Sequence, residues 1–162
     1  MKNLLLSFAL LTTSLLFSQA YTGAGDVKFQ VGANIQSGGT GIASSVDFGL
    51  GENISLGVYS SYLLNVQGSL GAQFEDRFDV QGRFNANIGN VITSDRALDV
   101  YPGLHIGTRN FGGHLGIRYF FSNGFGLYSE LHIPFAYYKD NLSSVEELNN
   151  QVTVTVGTSF NI

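Results

Sequence analysis

FGLYSELHIPFAYY, residues 125–138, carries two unlike rows of side chains. Phe125, Leu127, Ser129, Leu131, Ile133, Phe135 and Tyr137 alternate with Gly126, Tyr128, Glu130, His132, Pro134, Ala136 and Tyr138. Strict alternation predicts a strand with one apolar and one polar face. The fold turns on which row points inward. Apolar-in makes a water-soluble barrel of the lipocalin kind; apolar-out makes a barrel that sits in lipid.

The same pattern recurs in 26–36, 42–50, 54–64, 78–88, 98–108, 111–121 and 152–162, which predicts eight strands and no helical periodicity between them. Each is long enough to cross a bilayer when tilted. Short turns fall at 51–53 (GEN) and 122–124 (SNG), where Asn53 and Gly124 are expected to take the left-handed conformation. Long polar connections at 65–77 and 139–150 then fall at the opposite rim. The glycine-rich QSGGTG at 36–41 reads as a loop with no following helix to hold phosphate.

Composition favours the apolar-out choice. Only 12% of residues are charged, against about a quarter in soluble domains. The polar row is thin in lysine and mixes Gly32, Gly57, Gly103 and Gly116 with Arg83, Arg118, Tyr59 and His132, as a narrow lumen requires. The apolar row places Phe48, Phe121, Phe125 and Phe160 near one rim, and Tyr62, Phe78, Phe111 and Tyr137 near the other, like paired interfacial girdles.

Residues 1–20, MKNLLLSFALLTTSLLFSQA, read as a secretory signal peptide: Lys2, an apolar run, then Ser18-Gln19-Ala20 before the cleavage point. Residues 21–162 form one domain. Losing Lys2 leaves seven Lys/Arg against twelve Asp/Glu, with no cysteine and no basic patch to suggest nucleic acid.

On these residues the chain resembles a small eight-stranded outer-membrane protein of the OmpA/OmpX barrel type, functionally uncharacterised and Gram-negative. The resemblance implies an all-β fold, a transmembrane eight-stranded antiparallel up-and-down β-barrel, porin-like only in its architecture. It also implies outer-membrane localisation with both termini periplasmic, and contact with outer-membrane lipids and lipopolysaccharide. The last strand, VTVTVGTSFNI, resembles the C-terminal signal read by the outer-membrane insertion machinery, though it ends in Ile162 with its aromatic at Phe160.

The inward charges Lys28, Asp47, Arg83, Arg118 and Glu130 are expected to form a structural lumen network, joined by Asp79 and Asp99. The inferred registers set Phe29 opposite Phe48, Lys28 diagonal to Asp47, and Arg118 diagonal to Glu130. They also place His114 opposite His132, with Gly116 leaving space between Glu130 and His105. His105, His114, His132 and Glu130 are the weak candidates for a metal centre, against a structural, hydrogen-bonded role for the imidazoles. No cofactor and no catalytic residue is assigned. Ser61 and Ser69 lie near the far rim, yet no nucleophile–base–acid constellation is legible, so a lipid A acyl hydrolase or transferase is the minor alternative. The expected role is structural or surface-interacting, through the loops. The alternative is an accessory subunit of a larger outer-membrane assembly, docking a protein partner on the small outward residues Ser44, Ser60, Gly82 and Gly113.

Overall fold

The computed structural model describes residues 19–66, 68, 71–139 and 141–162. Residues 1–18 of the expected signal peptide, and Ser69, lie outside the described residues. Eight antiparallel strands close into a barrel in sequence order: β1 Val27–Gln36, β2 Gly39–Gly51, β3 Ile54–Val66, β4 Phe78–Ala86, β5 Leu98–Gly107, β6 Asn110–Ser122, β7 Phe125–Tyr137 and β8 Thr153–Asn161. Closure of β8 onto β1 leaves no sheet edge, so strand N–H and C=O groups find partners along the whole circuit.

The register fixes how the strands lean. Asp26, bonded across to Gly49, starts a line of opposed residues through Ser55, Asn85, Gly103, His114, His132 and Thr153. That line returns to β1 at Gln36, a stagger of ten residues (26 to 36) around the barrel. With ~3.3 Å rise per residue and ~4.7 Å between strands, the stagger tilts the strands by roughly 40°.

Burial is inverted relative to a water-soluble barrel. Lys28 and Arg118 are each 1% exposed, whereas Ile42 is 52% and Phe48 51% exposed. Every charged residue within the strands points inward and is buried: Lys28, Asp47, Asp79, Arg83, Asp99, Arg118 and Glu130. The outer face is aliphatic between two aromatic belts. Toward the end that holds the chain termini, Tyr119, Phe121, Phe125, Phe160 and Phe29 run ring to ring at 5.4–6.5 Å. Toward the far end, Tyr62, Phe74 and Phe78 stack at 5.2 and 6.0 Å, and Phe135 meets Phe111.

Three expectations about connections are corrected. Gln36 and Gly39–Gly41 belong to strands, which leaves Ser37-Gly38 as the turn. Gly124 and Asn53 do not take positive φ; among the described residues only Gly23, Gly25, Gly38 and Gly71 do. Each hairpin instead carries a register irregularity just before its tip, at Leu50 and Phe121. The added twist of such bulges replaces the twist a left-handed turn residue would supply. Thirdly, single helical turns do occur between strands, at Phe74–Arg77, Gly89–Ile92 and the 3-10 turn Glu146–Asn149. Local hydrogen bonds, not periodicity, fix the first and the last: Gln73 N donates to Asp76 Oδ2 at 2.9 Å, and Ser143 Oγ to Glu146 Oε2 at 3.0 Å. Gly89–Ile92 lies at the rim of the short turns, so that rim also carries one long connection. At the far rim, Leu63, Ala72 and Leu148 form a small apolar cluster with Val66 and Val145, which ties the loops over the mouth.

Candidate functional site

Alternation sends every second residue into the lumen, and glycines decide which of those side chains fit. A β-carbon at Gly116 would collide with the Tyr101 ring opposite it; one at Gly103 would strike His114, and one at Gly112 His105. Gly57 stands between Asp47 and Arg83 on the two flanking strands, and across its missing side chain the two ions meet. Large polar groups over vacant positions fill the axis.

The filling is layered. Near the termini, Lys28 pairs with Asp26, its ammonium 5.5 Å from the Phe120 ring centre. Arg118 donates to Asp99 Oδ2 at 2.8 and 3.1 Å and to Asn87 Oδ1 at 2.9 Å, with its guanidinium 4.6 Å from the Tyr101 ring centre. Tyr21 lies across this end and donates its hydroxyl to Ile54 O at 2.6 Å and Gly51 O at 2.9 Å. At mid-height Arg83 is the hub. Its Nε donates to Asp47 Oδ1 at 2.6 Å, its Nη1 to both oxygens of Glu130 at 2.8 and 3.0 Å, and its Nη2 to Gln30 Oε1 at 3.0 Å.

All five expected network residues are therefore in the lumen, but two expected pairings are corrected. Phe29 opposes Val46, which puts Lys28 directly opposite Asp47 rather than diagonal to it. Lys28 nonetheless binds Asp26, because Arg83 occupies the Asp47 carboxylate. Arg118 is diagonal to Glu130 as expected, yet it binds Asp99, its direct cross-strand partner, while Glu130 turns to Arg83. The space over Gly116 is filled by Tyr101 and not held open for Glu130 and His105. Asp26, Gln30, Asn85, Asn87 and Tyr101 were not singled out from the sequence. The signal for Asp26 was its place two residues before Lys28, on the same inward face.

The histidines sit above the Arg83 hub, on the side of the far mouth. His114 opposes His132 as expected. The three ring centres form a nearly equilateral triangle of 5.6–5.8 Å, and Tyr59 lies 4.6 Å from His132. His114 Nε2 is 2.7 Å from Asn85 Oδ1. His132 Nε2 is 2.7 Å from Glu130 Oε1, off the line of a hydrogen bond. Among the described residues, no three His, Asp or Glu groups converge at ligand distance as the rings stand. His105 and His132 also line a cavity of about 20 Å³ with Asn34, Ser61, Asp79, Gln81 and Asn110, room for about one water molecule. Ser61 thus shares a vestibule with two imidazoles and opposes Asp79, yet among the described residues no hydrogen bond joins its hydroxyl to a histidine.

The loops over the far mouth carry their own electrostatics. Glu146 accepts from Lys139 and from Ser143 N and Oγ, and these contacts, the lysine foremost, hold its carboxyl down at about 2. No curated protein matches the sequence. An eight-stranded barrel with a polar, side-chain-filled axis is thus the fold that accompanies the sequence signature spanning residues 11–162, and by that match the chain belongs to DUF6646, a family of unknown function.

Proposed function

We propose that the chain is an exported integral outer-membrane barrel of the OmpA/OmpX type, with residues 1–20 removed and 21–162 forming the membrane domain. Both termini face the periplasm, and the far-rim loops serve a structural or surface-interaction role. The observation that carries this reading is the inverted burial: charges along the axis, and an uncharged aliphatic face between aromatic belts. A contiguous apolar face of this extent marks a surface that water does not cover. The tilt of roughly 40° agrees with lipid-spanning barrels, and ten residues at that tilt rise about 25 Å, the height of their apolar band.

Lipid and lipopolysaccharide would cover the outer face, and the insertion machinery would read the last strand during assembly. The filled axis favours a barrel that does not conduct. Cell fractionation and heat-modifiable gel migration test the reading. The expected result is outer-membrane protein that folds only in detergent or lipid and migrates faster unheated than boiled. Freely soluble, monomeric protein without detergent overturns it.

A partner-docking role as an accessory subunit has one supporting feature. Ser44 and Ser60 meet at 3.2 Å on the outer face, and a β-carbon at Gly82 nearby would touch only Ile106, at 3.9 Å; Gly113, by contrast, is covered by the Phe135 ring. Isolation of the tagged protein from outer membranes, with or without a stoichiometric partner, separates the two roles. The lipid A enzyme reading has less support, because among the described residues no serine hydroxyl is hydrogen-bonded to a histidine.

A further inference from the structure

The lumen is not electrically balanced. Among the described residues, five buried carboxylates, of Asp26, Asp47, Asp79, Asp99 and Glu130, face three buried cations, Lys28, Arg83 and Arg118. Lys28 takes Asp26 and Arg118 takes Asp99, but Arg83 is shared between Asp47 and Glu130. Asp79 is met by the Thr108 hydroxyl and the Gln81 amide, both neutral. Before any imidazole is counted, the excess is two negative charges, at Glu130 and Asp79. Buried charge of one sign calls for a counter-charge.

The three histidines stand at the same level, and their hydrogen bonding prepares them for one. Asn85 Nδ2 donates to Ser55 Oγ at 3.0 Å, which turns its Oδ1 toward His114. His114 Nε2 therefore carries the proton, and its Nδ1 is left as a bare lone pair. At His132, Nε2 stands 2.7 Å from Glu130 Oε1 without bonding to it, so both nitrogens of that ring are unmet. The Nδ1 atoms of His105, His114 and His132 are all buried and all without a partner. Each unmet buried nitrogen is unfavourable on its own. Three together on a triangle of 5.6–5.8 Å have one economical solution, since imidazoles that share a tetrahedral ion have ring centres roughly 5 Å apart.

We infer that His105, His114 and His132 bind one divalent transition-metal ion of the zinc class through their Nδ1 atoms, with Asn85 and Glu130 as positioning residues behind His114 and His132. The ion supplies the two positive charges the lumen lacks. Binding requires the rings to turn from the positions they hold, and the cavity beside His105 and His132 gives them space. Once the His132 ring has turned, Glu130 beside its Nε2 would serve as the carboxylate of a carboxylate–histidine–metal relay, the usual device for orienting an imidazole ligand. The inference rests on the lumen alone and stands whether or not lipid surrounds the barrel.

The test uses the full chain, stripped with EDTA, in the medium that keeps it folded, with gel migration to confirm folding. Zn²⁺ and Co²⁺ are added separately. The expected results are saturation at one ion per chain, the visible absorption of tetrahedral cobalt, and a melting temperature raised by roughly 5–10 °C at saturating zinc. His105→Gln and His114→Gln should each abolish the cobalt bands, and Asn85→Ala and Glu130→Gln should weaken binding by roughly 10–100-fold. Should a variant fail to fold, the wild type still decides. One equivalent of Zn²⁺ must shift the nitrogen resonances of all three imidazoles. Folded protein that takes up no ion, or zinc binding that leaves those resonances unmoved, overturns the inference.

Discussion

The two halves of the lumen obey different rules. In the half nearer the termini the ions are paired one to one, Tyr101 and Phe120 are fully buried, and Tyr21 lies across the end. Among the described residues, three buried polar atoms of that half lack partners, Arg118 Nη1, Ser159 Oγ and Asn161 Oδ1, against seven in the far half, where Asp79 has no cation and the cavity remains. A polar network rigidifies as its members are satisfied, and a cluster of unmet buried groups is a place where water or an ion is taken up. The near half therefore reads as the plug that holds the barrel together, and the far half as the part with latitude to do something.

Arg83 is the seam between the halves, and breaking it should have the largest effect. Arg83→Ala leaves Asp47 and Glu130 buried without their shared cation. The expected loss is about 3–5 kcal/mol, or failure to fold, read from urea unfolding in detergent or lipid. Unfolding within about 1 kcal/mol of wild type would mean that the hub does not join the halves.

A matched pair of glycine substitutions sharpens the comparison. Gly116→Ala drives a methyl group into the Tyr101 ring, which the Arg118 guanidinium also packs against, so about 1–3 kcal/mol should be lost. Tyr101→Ala in the same chain should relieve that clash, giving a double-mutant cycle that is clearly non-additive. Gly107→Ala, in the far half, meets the Gln81 Cγ at 2.9 Å, and that side chain has the cavity to move into. Its cost should stay below about 1 kcal/mol. Equal costs at the two positions would remove the distinction between a tight half and a loose one.

Most of the architecture was legible because a period of two is a local property. Each strand announces its own two faces, as 125–138 does, and eight such segments leave closure as the way to use every edge. The inward inventory followed from the same alternation. His114 opposite His132 was legible too, because the short connection at Asn123-Gly124 carries the register up the hairpin. What stayed hidden depends on distance across the axis. Arg83 on β4 reaches Asp47 two strands away and Glu130 three strands away, contacts that no neighbouring-strand register encodes. The two-residue register error between Phe29 and Phe48 arose because the Ser37-Gly38 turn is tighter than QSGGTG suggests. The bare Nδ1 of His114 was invisible for a further reason: it follows from which way Asn85 faces, and Asn85 is bonded to Ser55 on a third strand.

At the near mouth a smaller effect is expected. Tyr21→Phe keeps the ring across the opening and removes only the hydroxyl bonds to Ile54 O and Gly51 O. Stability should fall by about 0.5–1.5 kcal/mol, with amide exchange faster at the Gly51–Ile54 turn and unchanged around Arg83. Exchange that rises throughout the near half would show that Tyr21 governs the plug rather than merely closing it.

The smallest effect belongs to the far mouth, where Glu146 fastens Lys139 and Ser143 within one loop. Its carboxyl is held at about 2, below the ordinary glutamate value near 4.5, chiefly by the lysine. A value depressed in the folded state contributes stability above the unfolded value and loses it as pH falls toward the folded one. Acidification from about 4.5 to about 2 should therefore loosen the loop around Ser143–Asn150, seen as faster proteolysis by an acid-active protease. Because the pair is exposed, salt should weaken it and the global unfolding transition should hardly move. Lys139→Met should bring the onset of loosening to higher pH while leaving the Arg83 layer untouched. A loop and a near half that loosen together would mean that the lid and the plug are one cooperative unit, and the contrast between the two halves would then be only one of composition.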